Sequence, residues 1–243
     1  ILLFLRAFIE NKADFSRYIA QLLRPTEGVK DKDGHSLFAK SFVSLKDGMV
    51  AGGEQAFAEQ LYDKMRSKLF YAQNETATLS LDLLKGATEE IGLRVGDNRY
   101  FGVINIGNNT QFIKTCREME NPFDCHTKDF SMDSLFASIN DENSTITMLI
   151  GAKKFNTGWN SYRVSVMGLM KIGQTEGSDI IQMFGRGVRL RGFNHSLKRS
   201  KEMPADELPE NVPQHLKTVE TLFIFGVRAD YMKVFDDATK AND

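Results

Sequence analysis

The apolar run at 146–150, Ile-Thr-Met-Leu-Ile closed by Gly151, constrains the fold more than any other stretch of the chain. A short apolar run of this kind is typical of a strand buried on both faces of a parallel sheet. The residues beyond it keep one rhythm. A second strand is expected at 163–167, a helix opening at Ser178, a third strand at 222–225 and a last helix at 228–235. Strands alternating with helices imply an α/β domain with right-handed crossovers.

The first hundred residues are patterned differently. Residues 2–11 and 15–23 have helical spacing, and the second helix ends at Pro25, which cannot continue it. Residues 26–36 are polar and read as a loop. Gly48-Met-Val-Ala-Gly-Gly53 has the glycine spacing of a phosphate loop. Glu54 and Gln55, however, stand where such a loop needs a lysine and a hydroxyl residue, and Glu54 would repel the ligand. The stretch reads as a turn before a helix at 54–69. Short strands are expected at 79–84, 91–95 and 100–106, with turns at Gly86 and Gly96-Asp97. Asn109 is expected to cap a helix running to about Cys116, residues 122–128 to be loop, and Ser131 to cap a helix ending near Asn140. Residues 198–213, with Pro204, Pro209 and Pro213, read as a long surface loop.

Chemistry concentrates after Ser178, in Ser-Asp-Ile-Ile-Gln-Met-Phe-Gly-Arg-Gly-Val-Arg-Leu-Arg191. With Ser178 as the cap, helical rotation brings Gln182, Arg186 and Arg189 onto one face. Ile180, Ile181, Phe184 and Val188 then face a core. Gly185 and Gly187 flank the polar face, and each costs about 1 kcal/mol relative to alanine inside a helix. Close approach of another backbone or of a phosphate is a reason to keep them. A solvated face is the plainer reading of two arginines at helical spacing.

The string Gln182-x-x-Gly185-Arg186-x-x-Arg189 resembles motif VI of superfamily 2 helicases and translocases, and its wording is similar to the Res subunits of type III restriction enzymes. Upstream, Gly151-Ala-Lys-Lys-Phe-Asn-Thr-Gly-Trp-Asn160 resembles motif V of the same branch, with its Phe-x-x-Gly-Trp core. Residues 100–107, 163–170 and 220–226 share the likeness. The resemblance implies a RecA-like parallel sheet flanked by helices over 99–243, the second motor lobe, preceded by an α+β insertion or accessory subregion at 1–98. It implies that Arg186 and Arg189 reach the γ-phosphate of ATP held with Mg²⁺ mainly by a first lobe, and that Gln182 orients the attacking water. Gly158, Asn160 and Gly185 would border the nucleotide; Asn160 stands where many relatives carry Asp. Thr157, Lys153 and Lys154 would meet the DNA backbone. Its implied partners are double-stranded DNA, the N-terminal RecA-like lobe and, in a restriction system, a methyltransferase or specificity subunit. The readings set against it are a non-motor DNA-binding or scaffold domain of the same fold, and a lobe of a defence or repair helicase without a nuclease. For Trp159 a core aromatic is the plainer reading, set against a stacking surface.

Composition excludes some alternatives. Among 243 residues, 42% are hydrophobic and 26% charged, and the net charge is −1, so the chain as a whole does not demand a polyanion. Locally, Arg186, Arg189, Arg191, His195, Lys198, Arg199 and Lys201 crowd together, as a phosphate-contacting segment or a solvated loop would. No apolar run approaches the length of a membrane span, so no membrane partner is expected. Cys116 and Cys125 suit a reducing cytoplasm and do not match a zinc pattern. The apolar opening lacks a basic leader and an initiator Met, and reads as a cut end inside a longer protein. Asp141-Glu-Asn-Ser144 precedes its strand, the wrong end for a magnesium box, and Glu10-Asn-Lys12 reads as solvated helix surface rather than a nuclease centre.

Overall fold

A computed structural model describes residues 1–24, 30, 34, 53–86, 90–129, 134–151, 161–170, 185, 192–212 and 216–227. They fall into two compact units, residues 1–152 and 153–243. That division lies inside the segment expected as one core, 99–243. Strands from the segment expected as accessory share a sheet with strands beyond residue 99.

The first unit opens with two helices, α1 (Leu2–Glu10) and α2 (Lys12–Leu23), joined at Asn11. The Asn11 N–H donates to the Ala7 carbonyl at 3.0 Å, and its side-chain oxygen accepts from the Asp14 N–H at 3.1 Å. One residue thus closes the first helix and caps the second. Helix α3 (Glu54–Leu69) buries Ala58, Tyr62 and Arg66, which recur every fourth residue on one face. The Tyr62 hydroxyl donates to the carbonyls of Phe8 and Ile9 at 2.6 and 3.1 Å, and Arg66 Nε donates to Ile9 at 3.1 Å. The last carbonyls of a helix have no partner within it. Here side chains of α3 donate to the last carbonyls of α1, so the two helices are held by polar bonds inside an apolar contact.

Five strands follow: β1 (Leu79–Lys85), β2 (Glu90–Val95), β3 (Gly102–Asn105), β4 (Asp124–Asp129) and β5 (Met148–Gly151), with α4 (Asn109–Arg117) between β3 and β4. Their order is β4-β1-β2-β3-β5. The central three form an antiparallel meander, while β4 runs parallel to β1 and β5 parallel to β3. The fold is therefore α/β with a mixed sheet flanked by helices, where a parallel sheet was expected. The cause is connection length. Only a few residues separate β1 from β2 and β2 from β3 in sequence, a length that only antiparallel neighbours can accept; parallel neighbours need a long crossover. Leu81 and Leu83 of β1, Ile91, Leu93 and Val95 of β2, and Ile104 of β3 join Leu5, Phe8, Ile19, Tyr62 and Ile113 of the helices in one buried core.

Three local expectations need correction. Residues 124–129 form strand β4 rather than loop. Asp-Cys-His-Thr-Lys-Asp has no apolar alternation, and its strand exists through the ladder to β1. The strand expected to be buried on both faces, β5, pairs only with β3 among the described strands and is half-buried. The cap of α4 is Asn108, whose side chain accepts from the Gln111 N–H at 3.0 Å; Asn109 instead is buried and accepts from the Ile106 N–H. Ser131 lies outside the described residues, and a 3-10 turn at Ala137–Asn140 stands where its helix was expected to end.

In the second unit, β6 (Val166–Met170) pairs parallel with β7 (Phe223–Val227), Val166 opposite Phe223. Strand β6 begins three residues later than expected. Between the strands are 3-10 turns at Phe193–His195, Ser200–Glu202 and Ala205–Glu207 and the short helix α5 (Leu216–Val219). The turns sit in the segment expected as surface loop. The helix expected at 228–235 lies outside the described residues. No helix among the described residues is long and apolar enough to cross a membrane.

Candidate functional site

Of the residues singled out in the sequence, Gln182, Arg186, Arg189, Thr157, Gly158, Asn160, Lys153 and Lys154 lie outside the described residues, as does Trp159. Gly185 is described: it is helical and exposed, and a Cβ built on it would meet nothing within 4 Å. Asp141-Glu-Asn-Ser144 is a turn before β5, closed by the Ser144 N–H bonding to the Asp141 carbonyl at 2.9 Å. Lys12 is engaged by Asp63 at 2.8 Å, on the helix surface.

The described structure concentrates its ionisable chemistry elsewhere, on the sheet face opposite the apolar core. Alternation along β1 sends Leu79, Leu81 and Leu83 to the core and Ser80 and Asp82 to the other face. Register aligns Asp82 with Gly92 on β2 and with His126 on β4, and Ser80 with Arg94 and with Asp124. Polar residues from three adjacent strands therefore share one face.

Asp82 is the centre. It is fully buried, and a single oxygen, Oδ2, accepts from Arg94 Nε at 2.7 Å, the Tyr100 hydroxyl at 2.8 Å and Lys128 Nζ at 2.9 Å. Arg94, itself buried, also reaches Asp97 at 3.0 Å and the Gly96 carbonyl. Burial by itself pushes the Asp82 carboxyl up, because removing water disfavours the charged form. Hydrogen bonds from Arg94, Lys128 and Tyr100, with the Arg94 charge, outweigh it and hold the carboxyl below its ordinary value. Burial and the same bond push the Tyr100 phenol up. Burial opposes the Arg94 charge, but Asp82 more than restores it, so the guanidinium is held even more firmly protonated.

Gly92 makes this possible. A Cβ at that position would lie 2.6 Å from Cδ1 and Cε1 of Tyr100. Only a residue without a side chain lets the ring lie against β2 and its hydroxyl reach across to β1.

Two smaller groups extend the face. Ser80 Oγ donates to Asp124 Oδ2 at 2.6 Å, and His126 Nε2 lies 2.9 Å from Asp124 Oδ1. The Ser80 bond, and after it His126, hold the Asp124 carboxyl below its ordinary value against partial burial. The serine bonds to the carboxylate rather than the imidazole, so the trio has no base positioned to activate a nucleophile. Glu90, fully buried, accepts from Ser134 Oγ at 2.5 Å and from the Leu135 N–H at 2.8 Å.

This network is saturated with partners. A carboxylate whose accepting oxygen already takes three donors is a poor general base, and it secures the register of β1, β2 and β4 instead. Among the described residues no group of three or more His, Cys, Asp or Glu side chains is arranged to hold a metal ion. Cys125 and Cys116 are free thiols, and burial pushes that of Cys125 up to about 11 and that of Cys116 upward as well. Sequence reading missed Asp82 and Arg94, although a signal was present. Leu-Ser-Leu-Asp-Leu-Leu and Ile-Gly-Leu-Arg-Val carry opposite charges at alternating positions of two strands joined by a short turn.

Comparison of the chain with family models, curated proteins and solved structures finds no match.

Proposed function

We propose that the chain is a motor lobe of an ATP-dependent DNA helicase or translocase, of the kind found in type III restriction Res subunits, and that its sheet is a RecA-like one extended by the β1–β2 hairpin. The observation that carries the reading is the string Gln182-x-x-Gly185-Arg186-x-x-Arg189, following Phe155-x-x-Gly158-Trp159 with a strand, β6, between them. Three features of the fold support it. Strands β3 and β5 are parallel with α4 in their connection, and β6 and β7 are parallel with helical turns in theirs. In the sequence, residues 152–160 follow directly on β5, and α/β proteins bind ligands beyond the carboxyl ends of parallel strands. Gly185 is helical, with open space on its Cβ side where a phosphate or a second backbone can approach.

In this reading ATP and Mg²⁺ sit mainly on a first lobe. Arg186 and Arg189 stabilise the charge that develops on the transferring phosphoryl group, Gln182 orients the attacking water, and Thr157, Gly158 and the neighbouring lysines couple lobe closure to the DNA backbone. Such contacts position a protein without reading base sequence.

The test is DNA-stimulated ATP turnover by the protein that joins this chain to its nucleotide-binding lobe. Arg189→Ala or Arg186→Ala is expected to cost turnover roughly 10³-fold or more while largely sparing nucleotide binding. Equal loss of both would assign the arginines to folding, and turnover by the chain alone would contradict the reading. Asn160, standing where many members of the family it resembles carry Asp, favours a second reading, a DNA-binding or scaffold domain that kept the fold without catalysis. Salt-dependent DNA binding with no effect of Arg189→Ala on turnover would establish that one.

A further inference from the structure

Residues 198–208 of the second unit divide their charge in a way that no contact inside the chain uses. The sequence runs Lys198-Arg-Ser-Lys201 and then, after Pro204, Ala205-Asp-Glu207. The 3-10 turns Ser200–Glu202 and Ala205–Glu207 carry the basic and the acidic half. Both turns are fixed by backbone bonds. The Glu202 and Met203 N–H groups donate to the Arg199 and Ser200 carbonyls at 2.9 and 3.2 Å, and the Glu207 N–H donates to the Pro204 carbonyl at 3.1 Å. Ser200 also donates from its N–H to Glu220 Oε1 at 2.9 Å and from Oγ to Oε2 at 2.8 Å, which ties the first turn to the residues just before β7.

Leu208 stands in the wall of two clefts. One, of about 330 Å³, is lined also by Arg199, Lys201, Glu220 and Val212. The other, of about 590 Å³, is lined also by Phe193, Met203, Asp206 and Glu207. Both oxygens of Glu220 are taken by Ser200, so the charge left over in the first cleft is cationic. In the second it is anionic. Among the described residues the side chains of Arg199, Asp206 and Glu207 make no hydrogen bond or ion pair. Lys201 has only the exposed Glu202 carboxylate at 3.8 Å, a contact that solvent screens heavily. Apolar surface accompanies the charges on each side of Leu208, with Val212 42% and Phe193 47% exposed.

We propose that this surface docks a second copy of the chain, about a two-fold axis passing at Leu208. In an isologous contact residue i of one copy meets j of the other while j meets i. The cationic cleft of each copy then lies against the anionic cleft of its partner. Leu208 of one copy meets Leu208 of the other, flanked by Val212 and Phe193, which gives an apolar centre inside a charged rim. A patch of a single sign could not pair in this way, because the axis would set like charge against like. An anionic strand or bilayer would use the cations and be repelled by Asp206 and Glu207, and a basic peptide would use the carboxylates alone. A second copy uses both halves. The inference does not depend on the motor reading.

The test is the oligomeric state of the whole chain, by sedimentation equilibrium across the micromolar range at low and high salt, with circular dichroism and the thermal midpoint as checks on folding. A reversible dimer is expected, weaker at high salt because the rim charges are screened. Arg199→Glu/Lys201→Glu and Asp206→Lys/Glu207→Lys are each expected to raise the dimer dissociation constant on the order of 10-fold or more. Mixed one to one, the two variants are expected to form a heterodimer, since each cleft again faces one of opposite sign. Adding Leu208→Asp to both should abolish that association. General attraction between oppositely charged chains would survive it, and such survival would overturn the proposal. Should the reversals fail to fold, Arg199→Ala/Lys201→Ala and Asp206→Ala/Glu207→Ala are each expected to weaken the dimer. A wild-type chain that stays monomeric throughout would overturn the proposal, as would wild-type affinity in the altered pairs or a mixture that stays monomeric. A monomer that binds oligolysine through Asp206 and Glu207 would overturn it in favour of a basic peptide partner. None of these results touches the motor reading, which stands or falls on ATP turnover in the Arg189→Ala protein.

Discussion

Replacing Asp82 with Asn tests the account of the sheet face most directly. The substitution keeps the shape and one acceptor but removes the charge that three donors share at 2.7, 2.8 and 2.9 Å. The three losses are unequal. Lys128, with 43% of its side chain exposed, can turn to water, so its share is small. Tyr100 keeps an acceptor in the amide oxygen. Arg94 is the costly partner: its side chain is 8% exposed, and without the Asp82 charge its remaining partners among the described residues are Asp97 and the Gly96 carbonyl. Leaving one member of a buried pair uncompensated costs about 3–5 kcal/mol, and the retained acceptors reduce that to roughly 2–4 kcal/mol. With a urea dependence of about 2 kcal/mol per molar, the midpoint of the first unit should fall by roughly 1–2 M. Urea unfolding by circular dichroism gives the midpoint, and amide exchange in β1 and β2 localises the loss. The pH dependence adds an independent check. Asp82 has a folded-state value below its unfolded one, so its stabilisation is complete above the unfolded value, about 3.9, and is lost as pH falls through the folded value. The wild-type protein should therefore lose stability more steeply than Asp82→Asn below about pH 4. An unchanged urea midpoint, or parallel acid limbs for the two proteins, would refute the reasoning.

Two further outcomes follow from the same geometry. Gly92→Ala should push the Tyr100 ring off β2 and cost about 1–3 kcal/mol by overpacking, read as a lower thermal midpoint. Much of that loss should disappear in a Tyr100→Leu background, where no ring lies against the strand. Cys125, its thiol pushed up to about 11, should react slowly with iodoacetamide at pH 8 in the folded protein and rapidly in urea. Fast alkylation of the folded chain would show that the thiol is not shielded.

How much could be read beforehand differs from element to element. Helices α1 and α3 begin and end within a residue of their expected bounds, and α2 ends where expected but begins three residues earlier, at the Asn11 cap, because Pro25 and apolar spacing are local signals. Strands β1 and β2 were equally legible from alternation. Strand β4 was not, since its six residues carry no apolar pattern and acquire their conformation from β1, more than forty residues earlier. The local run at 146–150 indicated a strand correctly but not its place, half-buried beside β3. The nucleotide-site expectation rests on residues 153–160 and 182–189, of which only Gly185 is described. The charged face around Asp82 emerged only when the strands were assembled.

Local order in this protein is thus written in its residues one stretch at a time: which segments coil, which extend, where each stops, and which short string looks like a phosphate-reading arginine helix. Partnership is not. That Asp82 is buried against Arg94 and Lys128, that a polar segment becomes a strand, and that the sheet is mixed all depend on which strands lie side by side. Pairing is set by connection length, register and the need of buried charges for opposite ones, and these quantities exist only once distant parts of the chain have met.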